Sequence, residues 1–473
     1  MIVLFVILFG QLNYLQVVRA SSLNHNPINT RLALAKFSTK RGDLVSADGV
    51  VLAHSVPTSD DYKYLRTYPT ADLFGQVTGY FSLTYGEEGA ERQFDADLTG
   101  ANAPLFPRSL KDLTITQDRS QTVTLTLSNK LQQLAKNQLG NRLGAVVALN
   151  PSTGALLALW SNPSFDPTPL ASHTIATERS AWQADNAAPN QPLLAGSYRN
   201  RYFPGSTFKV ITASAVFDHQ PALATKVYPT LSALPLPNAG GQVLRNFNGE
   251  VCGGPLPSLF RVSCNSGFAA IGLDLGASAL ASEANSFGFN QKLPIDLPEA
   301  AQSYFPPASS FGNDLPGLAK SAIGQENVQA VPLGMALVAA GIANNGVIMT
   351  PHILDHVSNS QGQVVSTYQA KPWITATSPQ TASQMTQLMI QVVQSGTGVA
   401  AQIPGVQVAG KTGTAQTGNN TIHAWFVCFA PATAPKVAVA VLVENQPEGN
   451  DAQGGTIAAP IAKAIVQAVL QGS

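Results

Sequence analysis

Three short groups of residues in this chain have the types and the order that nucleophilic acyl transfer requires. Ser206-Thr207-Phe208-Lys209 comes first, Ser263-Cys264-Asn265 follows, and Lys411-Thr412-Gly413 comes last. A serine hydroxyl is a poor nucleophile until a neighbouring base takes its proton. Ser-x-x-Lys or Ser-x-Asn alone recurs by chance, whereas all three groups in this order predict an acyl-transfer site.

The first group puts a base within reach of the hydroxyl. Pro204-Gly205 makes a turn, and an apolar helix runs through Val210 to Phe217, so Ser206 should lie at the helix N-terminus. The helix dipole and the free N–H groups there favour a developing alkoxide and oxyanion. Lys209 follows one turn later on the same face, where burial and nearby cations can lower its pKa. The alternative, an N-cap serine beside a surface lysine, is weakened by the other two groups.

The last group is expected to bind a substrate carboxylate. Lys411 supplies a second cation, which would also keep Lys209 partly neutral. Thr412 and Thr414 add hydroxyls, and Gly413 would leave room for substrate beside the strand edge.

The remaining roles follow from the same arrangement. The backbone N–H groups of Ser206 and Thr414 would form the oxyanion hole. Ser263 would relay a proton to the leaving amine, and Asn265 would bind the substrate amide. The segment 406–409 is predicted to be a strand that leads into the site.

Composition excludes several classes of function. The 473 residues include 27 Lys+Arg and 27 Asp+Glu, a balance that argues against a nucleic-acid partner. Charged residues are only 11% of the chain, and Thr, Ser, Gln and Asn supply the polarity, as is common outside the cytoplasm. HExxH, P-loop and GxGxxG motifs are lacking, so we expect no metal or nucleotide cofactor. His423 and Glu444 are expected to be structural.

The N-terminal residues predict a membrane segment. Residues 1–18 form an apolar stretch interrupted by Gln11, Asn13 and Tyr14, which is at the short end for a span of about 20 residues. A cleaved signal peptide is the alternative, since Val18-Arg19-Ala20 suits signal peptidase, but the basic n-region is missing. We favour an uncleaved transmembrane anchor over residues 1–19, with a few cytoplasmic residues before the present start.

The three cysteines have no metal-ligand spacing and cannot all pair within one chain. Cys252 and Cys264 are close enough to form a small-loop disulfide if this part of the chain is extracytoplasmic. The alternative, that both are free and half-buried, stays equally open, and Cys428 has no obvious partner.

Patterning divides the chain into three parts. After the anchor, residues 20–120 are rich in short β-like runs, including a hairpin signal at Asp48-Gly49, and contain no catalytic cluster. Residues 121–473 read as one larger α+β domain, with an antiparallel sheet contributed by both of its ends and a mainly helical insert over 206–400. The predicted elements are a strand at 122–127, a helix at 128–139, a buried hairpin at 144–160, strands at 424–429 and 437–442, and a closing helix at 456–471.

From about residue 31 onward the chain resembles the class B penicillin-binding proteins, in particular the actinobacterial type without PASTA repeats. Beyond the three catalytic groups, the resemblance rests on Arg41-Gly42, Asp48-Gly49, Gly144–Pro151, Ile323-Gly324-Gln325, Ala343–Gly346, Gly396-Thr397-Gly398 and Gly454–Pro460. Two departures occur: Val331 and Gly334 stand where relatives usually have Thr and Gln, and the usual Asn-Arg is replaced around Ala195-Gly196-Ser197.

The resemblance implies a fold and a reaction. The fold would be a transpeptidase domain of the penicillin-binding and serine β-lactamase-like type, preceded by a non-catalytic pedestal over 20–120. The activity would be peptidoglycan D,D-transpeptidation through a serine acyl-enzyme, with stem peptides on lipid-linked or nascent glycan strands as substrate and β-lactam antibiotics as inhibitors. Implied partners are a membrane-embedded glycan polymerase and division or elongation proteins, with the catalytic domain outside the plasma membrane.

Other functions fit less well. A bifunctional enzyme would need a glycosyltransferase domain of some 200 residues, for which the region before residue 120 is too short. A class A β-lactamase would need Glu-x-x-Leu-Asn, which is missing, so slow hydrolysis of penicillin is expected. A D,D-carboxypeptidase differs only in using water as acceptor. The intact catalytic groups argue against a silent division scaffold, and a penicillin-sensing receptor would need a signalling part.

Overall fold

The computed structural model describes residues 2–14, 36–102, 118–418, 420–447, 449 and 453–472. Its strands are β1 Leu44–Val45, β2 Val51–Pro57, β3 Tyr64–Thr67, β4 Phe81–Ser82, β5 Gly86–Glu87, β6 Thr122–Leu125, β7 Gly144–Leu149, β8 Leu156–Asn162, β9 Tyr228–Leu231, β10 Ala233–Pro235, β11 Val243–Arg245, β12 Cys252–Gly254, β13 Val347–Met349, β14 Leu354–Ser358, β15 Val364–Thr367, β16 Pro372–Thr375, β17 Ala409–Gln416, β18 Thr421–Ala430 and β19 Val437–Pro447.

The α-helices are connected to these strands by short 3₁₀ turns and loops. They are α1 Ile2–Asn13, α2 Gly75–Thr78, α3 Gly89–Gln93, α4 Asp95–Leu98, α5 Asn129–Leu139, α6 Ile175–Ala187, α7 Lys209–His219, α8 Leu256–Arg261, α9 Asn265–Ser286, α10 Ala308–Phe311, α11 Leu315–Ser321, α12 Pro332–Ala343, α13 Pro379–Ser395 and α14 Ala459–Leu470.

The central sheet joins strands from both ends of the catalytic region. Its order is β17-β18-β19-β7-β8, and every neighbouring pair is antiparallel. All six residues of β7 are buried because helices cover the sheet, so a continuous apolar run suits the strand better than alternation. The predicted hairpin over 144–160 and the strands at 424–429 and 437–442 are confirmed, the last two as parts of longer strands.

Helices pack against this sheet in two groups. The wholly apolar helix α12 packs against β7, β18 and β19, while α5 and α14 contact each other and lie on β8 and β19. Ser128 caps α5, its hydroxyl accepting a hydrogen bond from the N–H of Leu131 at 3.4 Å. The predicted helices at 128–139 and 456–471 are therefore confirmed, except that a π-turn over 454–458 precedes α14.

A second sheet links the N-terminal module to the catalytic region. Its order is β15-β14-β6-β1-β2-β3, in which β6 runs parallel to β1 and β14 comes from far along the chain. Three strands of the catalytic region, β6, β14 and β15, thus complete the sheet that the first module begins. The domain bounds at residues 19 and 120 stay predictions.

A buried ionic cluster holds the first module together and explains the Arg41-Gly42 pair. Glu91 is fully buried and accepts hydrogen bonds from Arg66 Nε at 2.6 Å and Arg41 Nε at 3.1 Å. Arg41 also reaches Asp95 at 2.5 Å. A side chain at Gly42 would collide with the Gln121 carbonyl oxygen, 1.9 Å from its Cβ position. Close backbone approach therefore requires glycine there.

The Asp48-Gly49 turn joins β1 and β2 as predicted, and it also connects two parts of the fold. The Asp48 carboxylate accepts hydrogen bonds from the backbone N–H groups of Asn129 (2.8 Å) and Lys130 (3.1 Å) at the start of α5. Burial opposes ionisation, but these bonds and one from Ser46 lower the pKa of Asp48 overall. The carboxylate thus caps a helix of the catalytic region.

Two predicted segments, at the N-terminus and before the Lys411 motif, can be compared with the structure. Among the described residues, no helix is both long and apolar enough to cross a membrane, and the predicted anchor over 1–19 extends beyond the described helix α1. The strand predicted over 406–409 is wrong: Val406 forms only an isolated bridge with Ile403, and β17 begins at Ala409. The Lys411 motif therefore lies inside a strand, where pairing with β18 fixes its backbone.

Candidate active site

Ser206 lies at the start of the helical segment that the sequence predicts. A 3₁₀ turn over Gly205–Phe208 continues directly into α7. Gly205 has φ +51°, and a Cβ there would meet the Thr414 carbonyl oxygen at 2.8 Å. Glycine is therefore needed both for the left-handed turn and for the close approach to β17. The Trp425 indole N–H also donates to the Phe203 carbonyl at 2.9 Å, which ties this segment to β18.

Lys209 is completely buried beneath the site. Its ammonium donates to the Ser263 carbonyl oxygen and to Asn265 Oδ1, each at 2.7 Å, and lies 3.5 Å from Ser263 Oγ. The ring of Phe268 lies 5.3 Å from the same nitrogen. These contacts bring the first two catalytic groups together around one amine.

Lys411 reaches the same serine from the opposite motif. Its ammonium donates to Ser263 Oγ at 2.7 Å and to the Thr412 carbonyl oxygen at 3.0 Å. Lys411 is also completely buried, with the Phe260 ring 5.6 Å from its nitrogen. The hydroxyl of Ser263 thus lies between two amines.

Burial lowers the pKa of both lysines. Burial, together with the positive charge of Lys411, holds the pKa of Lys209 well below its ordinary value, while the carboxylate of Glu250 opposes this shift. Burial alone lowers the pKa of Lys411 to about 7. A lysine with a lowered pKa can be neutral, and so accept a proton, at a pH where an ordinary lysine is charged, and general base catalysis requires this.

A loop that the sequence motifs do not predict to be part of the site holds the segment that carries Ser263 from its outer side. Ser263 has φ +60°, an uncommon conformation for serine. Asn246 is buried, and its Oδ1 accepts a hydrogen bond from the Ser266 N–H at 2.8 Å. The Asn246 amide also donates to the carbonyl oxygens of Leu231 and Glu250, at 2.7 and 2.9 Å.

A disulfide strengthens the same support. Cys252 and Cys264 are bonded, so the residue between Ser263 and Asn265 is covalently tied to β12. Of the two alternatives left open by the sequence, the structure has the disulfide, and Cys428 is free and buried.

A small cavity of about 60 Å³ lies above these groups. Its lining includes Ser206, Ser263, Asn265, Thr412 and Thr414, together with Asn246, Phe247, Glu250, Thr397 and Gln453. The hydroxyls of Thr397 and Thr412 are 2.6 Å apart. A wider cavity of about 810 Å³ also reaches Ser206 and Thr414 and extends past Arg245 and Lys320. Every predicted site residue with a side chain therefore lies in or directly beneath one continuous site.

The structure requires glycine at position 413 for a different reason from the one predicted. A Cβ at this position would meet Thr207 Cγ2 at 2.8 Å, Trp425 Cβ at 2.9 Å and the Pro204 carbonyl oxygen at 3.0 Å. The segment that carries Ser206 fills the space beside Gly413, so this space is not open to substrate. The glycine allows the strand and the serine segment to pack together.

Sequence reasoning missed several residues of this site. Asn246, Phe247 and Glu250 belong to a loop without a motif, and only the three-dimensional fold brings them to Ser206. The sequence indicates Thr397 only through the family resemblance of Gly396-Thr397-Gly398. In the structure its hydroxyl lies beside that of Thr412, so Thr397 is part of the site.

Glu444 and the departure at Gly196 line a separate cavity, and His423 packs edge to face against Tyr202 of the same cavity, with 5.6 Å between ring centroids. Burial lowers the pKa of His423 to about 4 and raises that of Glu444 to about 7. Glu444, Tyr202 and Gly196 line a space of about 230 Å³, and a Cβ at Gly196 would lie 2.7 Å from the Tyr202 hydroxyl. Gly196 thus makes room for that hydroxyl. In the described ranges, His, Cys, Asp and Glu form no cluster that could hold a metal ion.

A serine on a helix N-terminus, two buried lysines and an antiparallel sheet with a helical insert define the class of penicillin-recognising serine acyl-transferases. A family model for the penicillin-binding protein transpeptidase domain matches residues 144–467, and one for the dimerisation domain of penicillin binding protein A matches residues 41–123. The chain belongs to the class B penicillin-binding proteins.

Individual relatives agree with this assignment. The chain is 39% identical to peptidoglycan D,D-transpeptidase PbpA of Mycobacterium tuberculosis, over 99% of this chain and 97% of the relative. It is equally similar to PbpA of Mycolicibacterium smegmatis, at 39% identity over the same shares. The ceftriaxone acyl-enzyme of penicillin-binding protein A from M. tuberculosis matches with a TM-score of 0.85 and 38% identity, over 93% of this chain and 100% of that one.

A more distant solved structure has the same architecture. The D,D-transpeptidase domain of a peptidoglycan glycosyltransferase from Eggerthella lenta matches with a TM-score of 0.80 and 32% identity, over 92% of this chain and 99% of that one. The predicted family and the predicted reaction class, serine D,D-transpeptidation with β-lactams as acylating inhibitors, are therefore confirmed.

Proposed function

We propose that Ser206 is the nucleophile of a two-step acyl transfer between peptidoglycan stem peptides. The Ser206 oxygen bonds to the carbonyl carbon of the penultimate D-Ala of a donor stem, and the bond to the terminal D-Ala nitrogen breaks. The amine of a neighbouring stem then attacks the ester, so that an amide forms and Ser206 is released. The observation that carries this proposal is the pair of buried lysines that meet at Ser263 beside Ser206.

Lys209 is the base in this account. It takes the proton of Ser206 as the ester forms, because its burial and the neighbouring Lys411 favour the neutral amine. In the described structure Lys209 donates to Ser263 and Asn265, and Ser206 Oγ makes no hydrogen bond with it. Catalytic hydrogen bonds are often long before substrate binds, so we expect this contact to form in the complex.

Ser263 passes the proton onward to the leaving nitrogen. Its hydroxyl accepts a hydrogen bond from Lys411 and lies within 3.5 Å of Lys209, so it connects the base to the substrate side. Asn265 binds the substrate amide, Thr412, Thr414 and Lys411 recognise the terminal carboxylate, and the N–H groups of Ser206 and Thr414 stabilise the oxyanion.

Transpeptidation and carboxypeptidation differ only in the acceptor. The test uses the purified chain with an acyl-D-Ala-D-Ala peptide, with and without an amine-bearing acceptor peptide, and mass spectrometry of the products. We expect the cross-linked amide to dominate when acceptor is present. Hydrolysis alone would make the protein a D,D-carboxypeptidase, and no product at all would favour the silent scaffold.

The compartment proposed for this reaction is the outer side of the plasma membrane, with residues 1–19 as anchor. The apolar N-terminal sequence and the Cys252–Cys264 disulfide support it, since disulfides persist in oxidising compartments. Protease treatment of intact spheroplasts should degrade the catalytic domain, and full protection of the domain would contradict this topology.

The first module is the proposed contact surface for a membrane-embedded glycan polymerase and for division or elongation proteins. Support comes from the match of residues 41–123 to a penicillin-binding protein dimerisation domain. Site-specific photo-crosslinking from exposed positions of this module should capture the polymerase, while the same probe on the catalytic region should not.

A further inference from the structure

A second cleft lies at the junction of the first module and the catalytic region, apart from every predicted site residue. Its volume is about 440 Å³, within the range of ordinary small-molecule sites. The first module contributes Tyr80 and Glu88, and the catalytic region contributes Phe165, Trp182 and Asp185. Neither the reaction described above nor the family assignment gives this cleft a role.

Aromatic rings form fixed apolar walls in the cleft. Tyr80 and Phe165 are buried, and both Phe165 and Trp182 meet Tyr80 edge to face, at 6.3 and 6.1 Å between ring centroids. The other side of Trp182 is held by Tyr85, which stacks on it at 4.4 Å. A ring held on both sides is preorganised, so a ligand does not have to order it.

Around these walls, five polar side chains have no hydrogen-bond partner anywhere in the described ranges. They are the Tyr80 hydroxyl, the Trp182 indole N–H, the Asp185 carboxylate and the side-chain amides of Asn186 and Gln191. Asn186 and Gln191 are exposed, and the polar atoms of the other three are not among the sealed, unpartnered atoms of the described residues, so a bound molecule can reach all five. Burial and the charge of Asp166 raise the pKa of Asp185, as expected for a carboxyl group in a partly enclosed space.

Apart from Asp185, the charged side chains that line the cleft form ion pairs with one another. Arg199 donates to Glu88 at 2.8 Å and also pairs with Glu299. Among the described residues that line the cleft, Asp185 is therefore the one carboxylate without a partner, and it would repel an anion. The remaining free groups are neutral donors and acceptors beside aromatic faces. This combination suits a neutral ligand with hydroxyl and amide groups and flat apolar faces.

We propose that the cleft binds the N-acetylated sugar chain of peptidoglycan. Sugar hydroxyls would donate to Asp185, the acetamido groups would exchange hydrogen bonds with Asn186 and Gln191, and the apolar side of the sugar chain would lie along the part of the Trp182 ring that stays exposed between Tyr80 and Tyr85. The cavity lined by Tyr202 and Glu444 shares Gln191 and Leu194 with the cleft, so the two spaces adjoin. A protein that cross-links peptides on glycan strands gains avidity if it also holds the strand.

The test measures binding of N-acetylchitotetraose, a neutral N-acetylglucosamine tetramer without peptide, to the full chain by calorimetry. We expect binding to the unaltered protein and at least tenfold weaker binding to both Trp182→Ala and Asp185→Asn. Trp373→Ala and Asp61→Asn change the same residue types away from the cleft and should bind within about twofold of the unaltered protein. Thermal melting followed by circular dichroism checks that each variant is folded.

Asp185→Asn keeps the experiment decisive if Trp182→Ala does not fold, because Asp185 lies on the half-exposed face of α6. No binding at millimolar tetramer, or equal binding by the unaltered protein and Asp185→Asn, overturns the proposal. Binding of tetralysine that depends on Asp185, without binding of the tetramer, overturns it in favour of a basic segment of a partner protein.

Discussion

Two buried amines share the hydroxyl of Ser263, and in the proposed mechanism their charge state controls whether Ser206 can react. An ammonium in a dry site is costly, so burial lowers the pKa of both lysines, and the positive charge of Lys411 lowers the pKa of Lys209 further. The three catalytic groups are far apart in sequence, yet hydrogen bonds of 2.7 Å link all three. The chemistry therefore depends on a few side chains held at hydrogen-bonding distance.

Replacing Lys209 with methionine should slow acylation by penicillin about 10²- to 10⁴-fold, since a positioned base contributes this much. Methionine has similar length and an apolar end, so the change removes the base with little loss of packing. Stopped-flow competition with a chromogenic β-lactam measures the rate. Lys226→Met, which changes an exposed lysine at a distance, serves as the control. A Lys209→Met rate within threefold of the unaltered protein would exclude Lys209 as the base.

At the scale of elements, the loop from β11 to β12 positions the catalytic segment that begins α9. The Cys252–Cys264 disulfide and the Asn246 side chain both act on this segment from outside, while the two lysines hold it from inside. The same loop contributes Phe247 and Glu250 to the wall of the cavity. Support of this kind decides how well Ser263 and Asn265 are aligned.

Reduction of the disulfide should therefore lower the rate of acylation, by about 10- to 10²-fold, because small misplacements of catalytic groups are costly. Cys252→Ser should behave like the dithiothreitol-treated protein, and Cys428→Ser should behave like the oxidised one. If Lys209 loses its acceptors on Ser263 and Asn265, its pKa falls further, so the acid limb of the pH–rate profile should move to lower pH. Equal rates and unchanged profiles for the reduced and oxidised forms would contradict a positioning role.

The N-terminal module depends on its own buried element, the cluster of Arg41, Arg66 and Glu91. Glu91→Ala leaves two buried guanidinium groups without their shared carboxylate and should destabilise the module by about 3–5 kcal/mol. Urea unfolding measures the change. Lys320→Ala removes one partner of a half-exposed ion pair and should cost at most about 1 kcal/mol. Similar effects of both substitutions would show that the cluster is not the main support.

Local patterns predicted most of the central sheet and the residues that the fold brings together at the candidate site, because alternation, apolar runs, turn residues and short motifs are encoded in neighbouring positions. The hairpin at 144–160 and helix α5 are examples. The pairing of β14 with β6 and the approach of Asn246 to Ser266 depend on contacts distant in sequence. The prediction of a strand at 406–409 is wrong because the apolar alternation there lies mostly in a loop. Gly413 was expected to leave room for substrate, but the Ser206 segment, which comes from elsewhere in the chain, fills that space.

For the whole molecule, the buried lysines couple activity to stability. The pKa of Lys411 is about 7 in the folded protein, against an ordinary value of 10.5. Between these values the unfolded chain binds more protons, so the free energy of unfolding rises with pH. The contribution of neutral Lys411 to the free energy of unfolding is therefore complete above about pH 10.5. It decreases as the pH falls and is gone below about pH 7.

This linkage can be measured by urea unfolding at pH 7, 8 and 9. The free energy of unfolding should rise by about 2–3 kcal/mol over this range from Lys411 alone, at about 1.4 kcal/mol per pH unit. Lys411→Met removes the titrating group, so its pH dependence should be flatter by that amount. An identical slope in both proteins would mean that Lys411 has an ordinary pKa in the folded state.

The central claim is that Ser206 forms the acyl-enzyme and that water releases it slowly. The most direct measurement is the intact mass of the purified protein after incubation with penicillin, beside the Ser206→Ala variant. A stable adduct of one penicillin mass on the unaltered protein, and none on Ser206→Ala, is the predicted result. An adduct that persists on Ser206→Ala, or rapid destruction of penicillin without an adduct, would contradict the account.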